Sequence, residues 1–192
     1  MARPKEFDRD KALQGAISIF SEHGYEGTST DALMQAMDIR RQSMYDTFGD
    51  KRSLYLEALR QYCADSVGDH IATLNAEARP LRAIEAMLAR FIERAINGEG
   101  RTCMGINAIA EFGRSDEDVS RLTDMMGKTL RTAIEKRLVE AQAAGEVGGD
   151  VDIKTASQFL TATLSGLKVA ARDGASRAVM TGIAKMALRS LR

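Results

Sequence analysis

The chain predicts an all-α protein of about nine helices, and three observations carry that prediction. Apolar residues recur at i, i+3, i+4 and i+7 along most of its 192 residues. Ala, Leu, Met, Glu and Arg, all good helix formers, abound, while only two prolines interrupt the chain. Capping residues and glycines punctuate the apolar runs, and no convincing strand or internal repeat is found.

Each element follows in order. Leu13, Ala16, Ile17 and Phe20 share one face of a helix that begins near Asp8 and ends at Gly24. Thr28 or Ser29 suits the N-cap of a short second helix holding Leu33, Ala36 and Met37, which stops before Asp38. A third helix begins near Arg40, carries Met44, Tyr45 and Phe48, and stops at Gly49. Asp50 then caps a fourth, with Leu54, Tyr55, Ala58, Leu59 and Tyr62. Pro80 fits the first turn of a fifth, built on Ile84, Met87, Leu88, Phe91, Ile92 and Ala95. A sixth spans roughly Cys103 to Phe112. Ser115, followed by Asp116, Glu117 and Asp118, starts a long seventh through Val119, Leu122, Met126, Leu130, Ile134 and Leu138 to Gly145. Asp152 opens the eighth, with Ala156, Phe159, Leu160, Thr163, Leu164 and Leu167, and Ser176 caps the ninth, with Val179, Ile183, Met186, Ala187 and Leu191.

Composition narrows the function classes. With 44% hydrophobic and 28% charged residues, the chain is neither disordered nor low-complexity. No apolar stretch approaches the roughly 18 residues of a membrane span, and Met1-Ala2-Arg3-Pro4-Lys5 runs into charge, so a soluble cytoplasmic protein is expected. Cys63 and Cys103 give neither a disulfide framework nor a metal-ligand spacing, and no metal or cofactor is expected. His23 and His70 stand isolated. Net charge is zero, and residues 1–60 hold nine Lys/Arg against ten Asp/Glu, so any nucleic-acid surface must be local.

Residues 29–48 have the length of a helix-turn-helix, with a tight turn at Asp38-Ile39. Its second helix carries Arg40, Arg41, Gln42, Ser43, Tyr45 and Thr47 over Ile39, Met44 and Phe48. Arg pairs bidentately with guanine and Gln with adenine, while the hydroxyls suit phosphates. Lys51, just inside the fourth helix, adds a cation beside open backbone N–H groups. Tyr45 and Phe48 also suit the core, Phe48 more than Tyr45.

Gly24-Tyr25-Glu26-Gly27-Thr28-Ser29, then Ile39-Arg40-Arg41-Gln42-Ser43-Met44-Tyr45, then Phe48-Gly49-Asp50-Lys51 with Leu54, resembles the N-terminal domain of TetR-family transcriptional regulators. The resemblance implies a DNA-binding domain over residues 1–50 and a helical effector-binding and dimerisation domain over 51–192. By the same resemblance Tyr25, Thr28, Tyr45 and Lys51 fall at phosphate contacts, with Ser29 beside them, and Arg40 to Ser43 at base edges. Two departures stand out: Asp38 where Gly is common, and Arg40 where a small Ser or Thr cap is common. An Asp at 38 tolerates a left-handed backbone and is placed to cap the following helix.

The function expected is a homodimeric repressor released from operator DNA when a small molecule or reactive compound, bound in the helical body, moves the fourth helix. For the dimer, Leu160, Leu164, Leu167 and Ala171 on the eighth helix and Val179, Ile183 and Met186 on the ninth suit a two-fold four-helix bundle; the same stripes also suit the monomer core. For the effector, Asn107 and Glu111, one turn apart with Met104 and Phe112 beside them, and then Met126 and Thr163, suit a pocket; the plainer reading is polar residues satisfied or solvated where they stand. Cys103 at a helix start near Arg101 suits a reactive thiol, or a buried inert one. The competing class is an all-helical enzyme using Glu111 as acid or base, for which no nucleophile–base or metal-ligand spacing is found.

Overall fold

The computed structural model describes residues 7–99 and 102–192, and among these residues the backbone forms nine helices and no strand. They are α1 (Arg9–His23), α2 (Thr30–Met37), α3 (Arg41–Phe48), α4 (Lys51–Ala76), α5 (Pro80–Ile96), α6 (Met104–Phe112), α7 (Glu117–Ala143), α8 (Ile153–Arg172) and α9 (Arg177–Arg189). Most boundaries are made by the expected caps. The Asp8 carboxylate accepts from the amides of Asp10 and Lys11, Ser29 Oγ from Ala32, Asp50 from Ser53 and Asp152 from Thr155. Two differ. Asp116, and not Ser115, caps α7 by accepting from Val119 N at 3.0 Å, while Ser115 Oγ turns back to the Phe112 carbonyl. Asp38 does adopt the left-handed conformation, φ 53° and ψ 44°, but it ends α2; the cap position of α3 is held by Arg40, whose side chain makes no capping bond.

The chain packs as two units: Met1–Ala64 with Cys103–Thr123, and Asp65–Thr102 with Asp124–Arg192. α6 packs on α1, so these compact units do not follow a single cut after residue 50. In the first unit Leu13, Ala16, Phe20, Leu33, Met37, Met44, Phe48, Leu54, Tyr55, Leu59, Met104 and Ala108 are buried. Each large side chain contributes about 1.5–3 kcal/mol of transfer free energy. Gly15 lets α1 and α2 meet, since a Cβ there would collide with the Ala36 carbonyl oxygen. Arg9 secures the bundle from outside. Its guanidinium lies 4.9 Å from the Phe48 ring centre and 2.7 Å from the Glu57 carboxylate, so α1 is tied to α3 and α4.

The second unit buries Leu74, then Ile84, Met87, Leu88 and Phe91 of α5, Leu130, Ile134 and Leu138 of α7, and Met180, Ala184 and Ala187 of α9. The same core takes Leu160, Leu164, Leu167 and Ala171 of α8. These four face inward and are corrected from partner contacts to core residues. The physical reason is that α8 has two apolar stripes, and periodicity alone does not say which one meets the core. The outward stripe is Phe159, Ala162, Gly166 and Val169, and α9 exposes Val179, Ile183 and Met186.

Candidate nucleic-acid interface

Helix α3 is two turns long, and burial divides it cleanly. Met44 and Phe48 are buried; Arg40, just before it, and Arg41, Gln42 and Tyr45 are exposed; Ser43 and Thr47 are half-buried. Met44 and Phe48 are four residues apart and anchor one face, so the polar residues between them point outward. The turn that delivers α3 is made at Asp38, the one non-glycine residue with positive φ among the described residues. Its amide bonds back to the Gln35 carbonyl at 3.3 Å and Ile39 N to Met34 O at 3.2 Å, closing α2 before the chain redirects.

Two base-reading candidates already have partners. Arg41 Nη2 lies 2.8 Å from Asp31 Oδ1 of α2, and Gln42 Nε2 donates to Asp46 Oδ1 at 2.8 Å one turn on. Both pairs are exposed, so each contributes about 0–1 kcal/mol and exchanges readily for a base edge. The acids place negative charge beside Arg41 and Gln42 on this exposed face. The Gln42–Asp46 pair was legible from its i, i+4 spacing; Asp31 was not, because its partner lies across a turn.

The phosphate candidates sort differently. Lys51 Nζ sits 4.3 Å from the centre of the Tyr25 ring, at the start of α4. Burial, with Glu26 and Asp50 nearby, raises the Tyr25 phenol above its ordinary value, so at neutral pH it remains a hydrogen-bond donor. Ser29 is exposed, and its oxygen caps α2 by accepting from Ala32 N. Thr28 differs from these: it is 1% exposed and its Oγ1 donates to the Gly24 carbonyl at 2.6 Å, so its hydroxyl is turned inward and holds the α1–α2 corner together.

The α6 residues expected to form a pocket bind the chain itself. Glu111 accepts from Tyr25 N at 2.8 Å through Oε2 and from Glu26 N at 2.6 Å through Oε1. Asn107 Nδ2 donates to the Ser21 carbonyl at 2.8 Å. Phe112 joins an aromatic cluster with Tyr25 and Tyr55, both at 5.6 Å. Through these contacts Asn107, Glu111 and Phe112 act as positioning residues: together they grip the end of α1 and the corner that presents Tyr25. The Glu111 carboxylate, engaged with two amides, also fails the role of an enzymic acid or base. No sequence signal links positions 25 and 111. Met104 is wholly buried and Cys103 nearly so, whereas Met126 and Thr163 lie in the second unit, where Thr163 Oγ1 donates to the Phe159 carbonyl. Arg101, the expected cationic neighbour of Cys103, lies outside the described residues. A further tie was not foreseen: Arg52 of α4 bridges Asp116 at 2.9 Å and Asp118 at 3.0 Å at the start of α7.

Among the described residues no cluster of His, Cys, Asp or Glu has the geometry to hold a metal ion, and no helix is long and apolar enough to cross a membrane. Residues 12–58 match the family described as bacterial regulatory proteins, tetR family, and residues 79–185 match the tetracyclin repressor-like C-terminal domain. The chain is 34% identical over 162 residues to the HTH-type transcriptional regulator YezE of Bacillus subtilis (strain 168), covering 83% of this chain and 84% of that one. It is 29% identical over 192 residues to the HTH-type transcriptional repressor ComR of Escherichia coli (strain K12), covering 97% and 90%. A cysteine mutant of the TetR family regulator CifR, solved with 26 bp double-strand operator DNA, superposes with a TM-score of 0.87 at 29% identity over 99% of this chain and 100% of that one.

Proposed function

Since the chain belongs to the TetR family of bacterial regulatory proteins, and is a DNA-binding transcriptional regulator and not an enzyme, we propose that it is a cytoplasmic, homodimeric repressor released from its operator by a small molecule or reactive compound. The observation that carries the DNA-binding half is the outward face of Arg40, Arg41, Gln42 and Tyr45 on a helix anchored by Met44 and Phe48. Arg41 and Gln42 read base edges; Ser43 and Thr47 flank them; Tyr45, Ser29, Tyr25 and Lys51 hold the flanking phosphates. Repression follows the relatives: ComR is called a repressor, and CifR is bound to operator DNA.

Dimerisation is read from the exposed apolar stripes of the second unit. Phe159, Ala162, Gly166 and Val169 on α8 and Val179, Ile183 and Met186 on α9 are exposed, and the Cβ positions of Gly166 and Gly182 meet nothing within 4 Å. Small residues beside large apolar ones let two helix pairs approach closely about a two-fold axis. Two recognition helices on one dimer then meet half-sites one DNA turn, or a multiple of it, apart. The effector half rests on α6. A compound that displaces this helix acts directly on the Asn107 and Glu111 contacts with the corner carrying Tyr25, and Cys103, immediately before α6, is the thiol a reactive compound meets there.

The test begins with selection of a binding site from random duplex DNA. Arg41→Ala and Tyr45→Ala are each expected to lower affinity for that site about 10–100-fold at fixed salt while leaving helicity unchanged. Unchanged affinity in both removes α3 from recognition. Ile183→Glu with Met186→Glu is expected to give a folded monomer by sedimentation, whereas Leu164→Glu unfolds the chain, because it places a charge in the core. A folded double variant that stays dimeric rejects the α8/α9 surface.

A further inference from the structure

We propose that Cys63 and Cys103 form a two-thiol redox site, oxidised by a small hydroperoxide to an intramolecular disulfide that weakens operator binding. The inference rests on the reading of a regulator released by a reactive compound, and extends it from one thiol to a pair.

Three observations place the pair. Cys63 on α4 and Cys103, the residue before α6, lie in the same unit, neither in a disulfide, 8% and 7% exposed. A Cβ built on Gly105 would lie 3.7 Å from Cys63 Sγ and 3.9 Å from Cys103 Sγ. The sulfurs are therefore no farther apart than the sum of those distances. Among the described residues, beyond the glycine's own helix backbone and chain neighbours, no other atom comes within 4 Å of that point, so both sulfurs stand at contact distance from one spot beside the start of α6. Cys103 is still extended, φ −135° and ψ 106°, and re-aims its side chain through torsions that lie outside α6. A disulfide needs the sulfurs at about 2.05 Å, so its formation takes rotation of both side chains and a shift of the helix start toward α4.

The chemistry balances with the peroxide as oxidant. The Cys103 sulfur, as thiolate, attacks the distal oxygen of ROOH; the O–O bond breaks, ROH leaves with the thiol's proton, and a sulfenic acid remains. The Cys63 sulfur then attacks the sulfenic sulfur and expels water, taking its own proton, as the S–S bond forms. Two thiols have lost two electrons and two protons to one peroxide, giving one disulfide, one ROH and one water.

The consequence for DNA travels along one short rod. Asn107 stands one turn from Cys103 and Glu111 two turns, and they hold Ser21 O and the amides of Tyr25 and Glu26. A covalent tie that draws the start of α6 toward α4 displaces these bonds, and with them the corner where Tyr25 lies under Lys51.

The full chain, as wild type, Cys63→Ser, Cys103→Ser and Gly105→Ala, is treated with hydrogen peroxide and followed by intact mass, thiol titration and anisotropy on the selected operator. The wild type is expected to lose the mass of two hydrogens and both titratable thiols without forming a cross-linked dimer. Its operator affinity should fall about tenfold and return with dithiothreitol. Neither serine variant forms the disulfide or loses affinity in this way. Gly105→Ala is the sharpest probe. It keeps both thiols, favours the helix, and sets a methyl group at ordinary contact distance from both sulfurs. It should fold and bind as wild type yet oxidise several-fold more slowly, and an unchanged rate overturns the geometric route. Oxygen addition at Cys103 alone, with release intact in Cys63→Ser, overturns the pair and leaves the single-thiol reading standing. Thiols that stay unmodified in the folded wild type overturn both.

Discussion

Helices α3 and α6 are alike in length, lie in the same unit, and both begin without a side-chain cap. They use their polar residues in opposite ways. On α3, Arg41, Gln42 and Tyr45 face solvent, and the bonds made by Arg41 and Gln42 are exposed and exchangeable. On α6, Asn107 and Glu111 reach across to the backbone of α1 and the corner that follows it, 85 or 86 residues away in sequence. A polar residue on a short amphipathic helix is thus left to solvent or tied to the chain according to what stands opposite it. Two adjacent backbone amides, each donating to one oxygen, hold a carboxylate that would otherwise face solvent.

The contrast breaks most visibly at Glu111. Glu111→Ala removes the charged acceptor of two backbone N–H groups and is expected to cost about 1.5–3 kcal/mol of stability. The measurement is a lower urea midpoint at unchanged m-value, with faster amide exchange at Tyr25 and Glu26. Arg41→Ala, by comparison, should leave stability within about 0.5 kcal/mol. If exchange at both amides is unaltered, water replaces the carboxylate without cost and the two helices do not differ in kind.

Thr28 sharpens the comparison on the α1–α2 corner. Thr28→Val keeps the shape and deletes the hydroxyl bonded to the Gly24 carbonyl, for an expected loss of about 1 kcal/mol. The dependence of operator affinity on salt should stay as in wild type. A shallower salt dependence would return Thr28 to the phosphate surface.

The smallest effect is expected at the turn into α3. Asp38→Gly relieves the left-handed strain and adds freedom to the unfolded chain, two terms that nearly cancel, leaving a gain of about 0.5 kcal/mol. Operator affinity should be unchanged. A loss of stability would show that the Asp38 carboxylate contributes more than its backbone costs.

Nine helices and most of their caps were readable, because caps and glycines act within four residues and the helical period is local. The exposed polar face of α3 was readable for the same reason: Met44 and Phe48 fix which side of α3 is inward. What escaped was every feature set by a distant partner. Asn107, Glu111 and Phe112 had the composition of a pocket wall, and only the fold shows that they reach the end of α1, the corner after it and Tyr55. Leu160, Leu164 and Leu167 had the spacing of an interface, yet α8 carries Phe159 and Val169 on its other side, and no local rule ranks the two stripes. Thr28 was a plausible donor to phosphate until its own turn closed over it.

The reach of α6 into the N-terminal unit bears on how such regulators can be recombined. Grafting a new operator preference by exchanging the first sixty or so residues between relatives treats that stretch as a self-sufficient cassette. Here the cassette is discontinuous: its last wall, Cys103–Thr123, is supplied after a long excursion of the chain. A chimera cut at Ala64 would present a foreign Tyr25 corner to the native Glu111 and Phe112, or a native corner to a foreign α6. Compatibility of that one seam, more than similarity of the recognition helices, then decides whether a hybrid reads DNA at all.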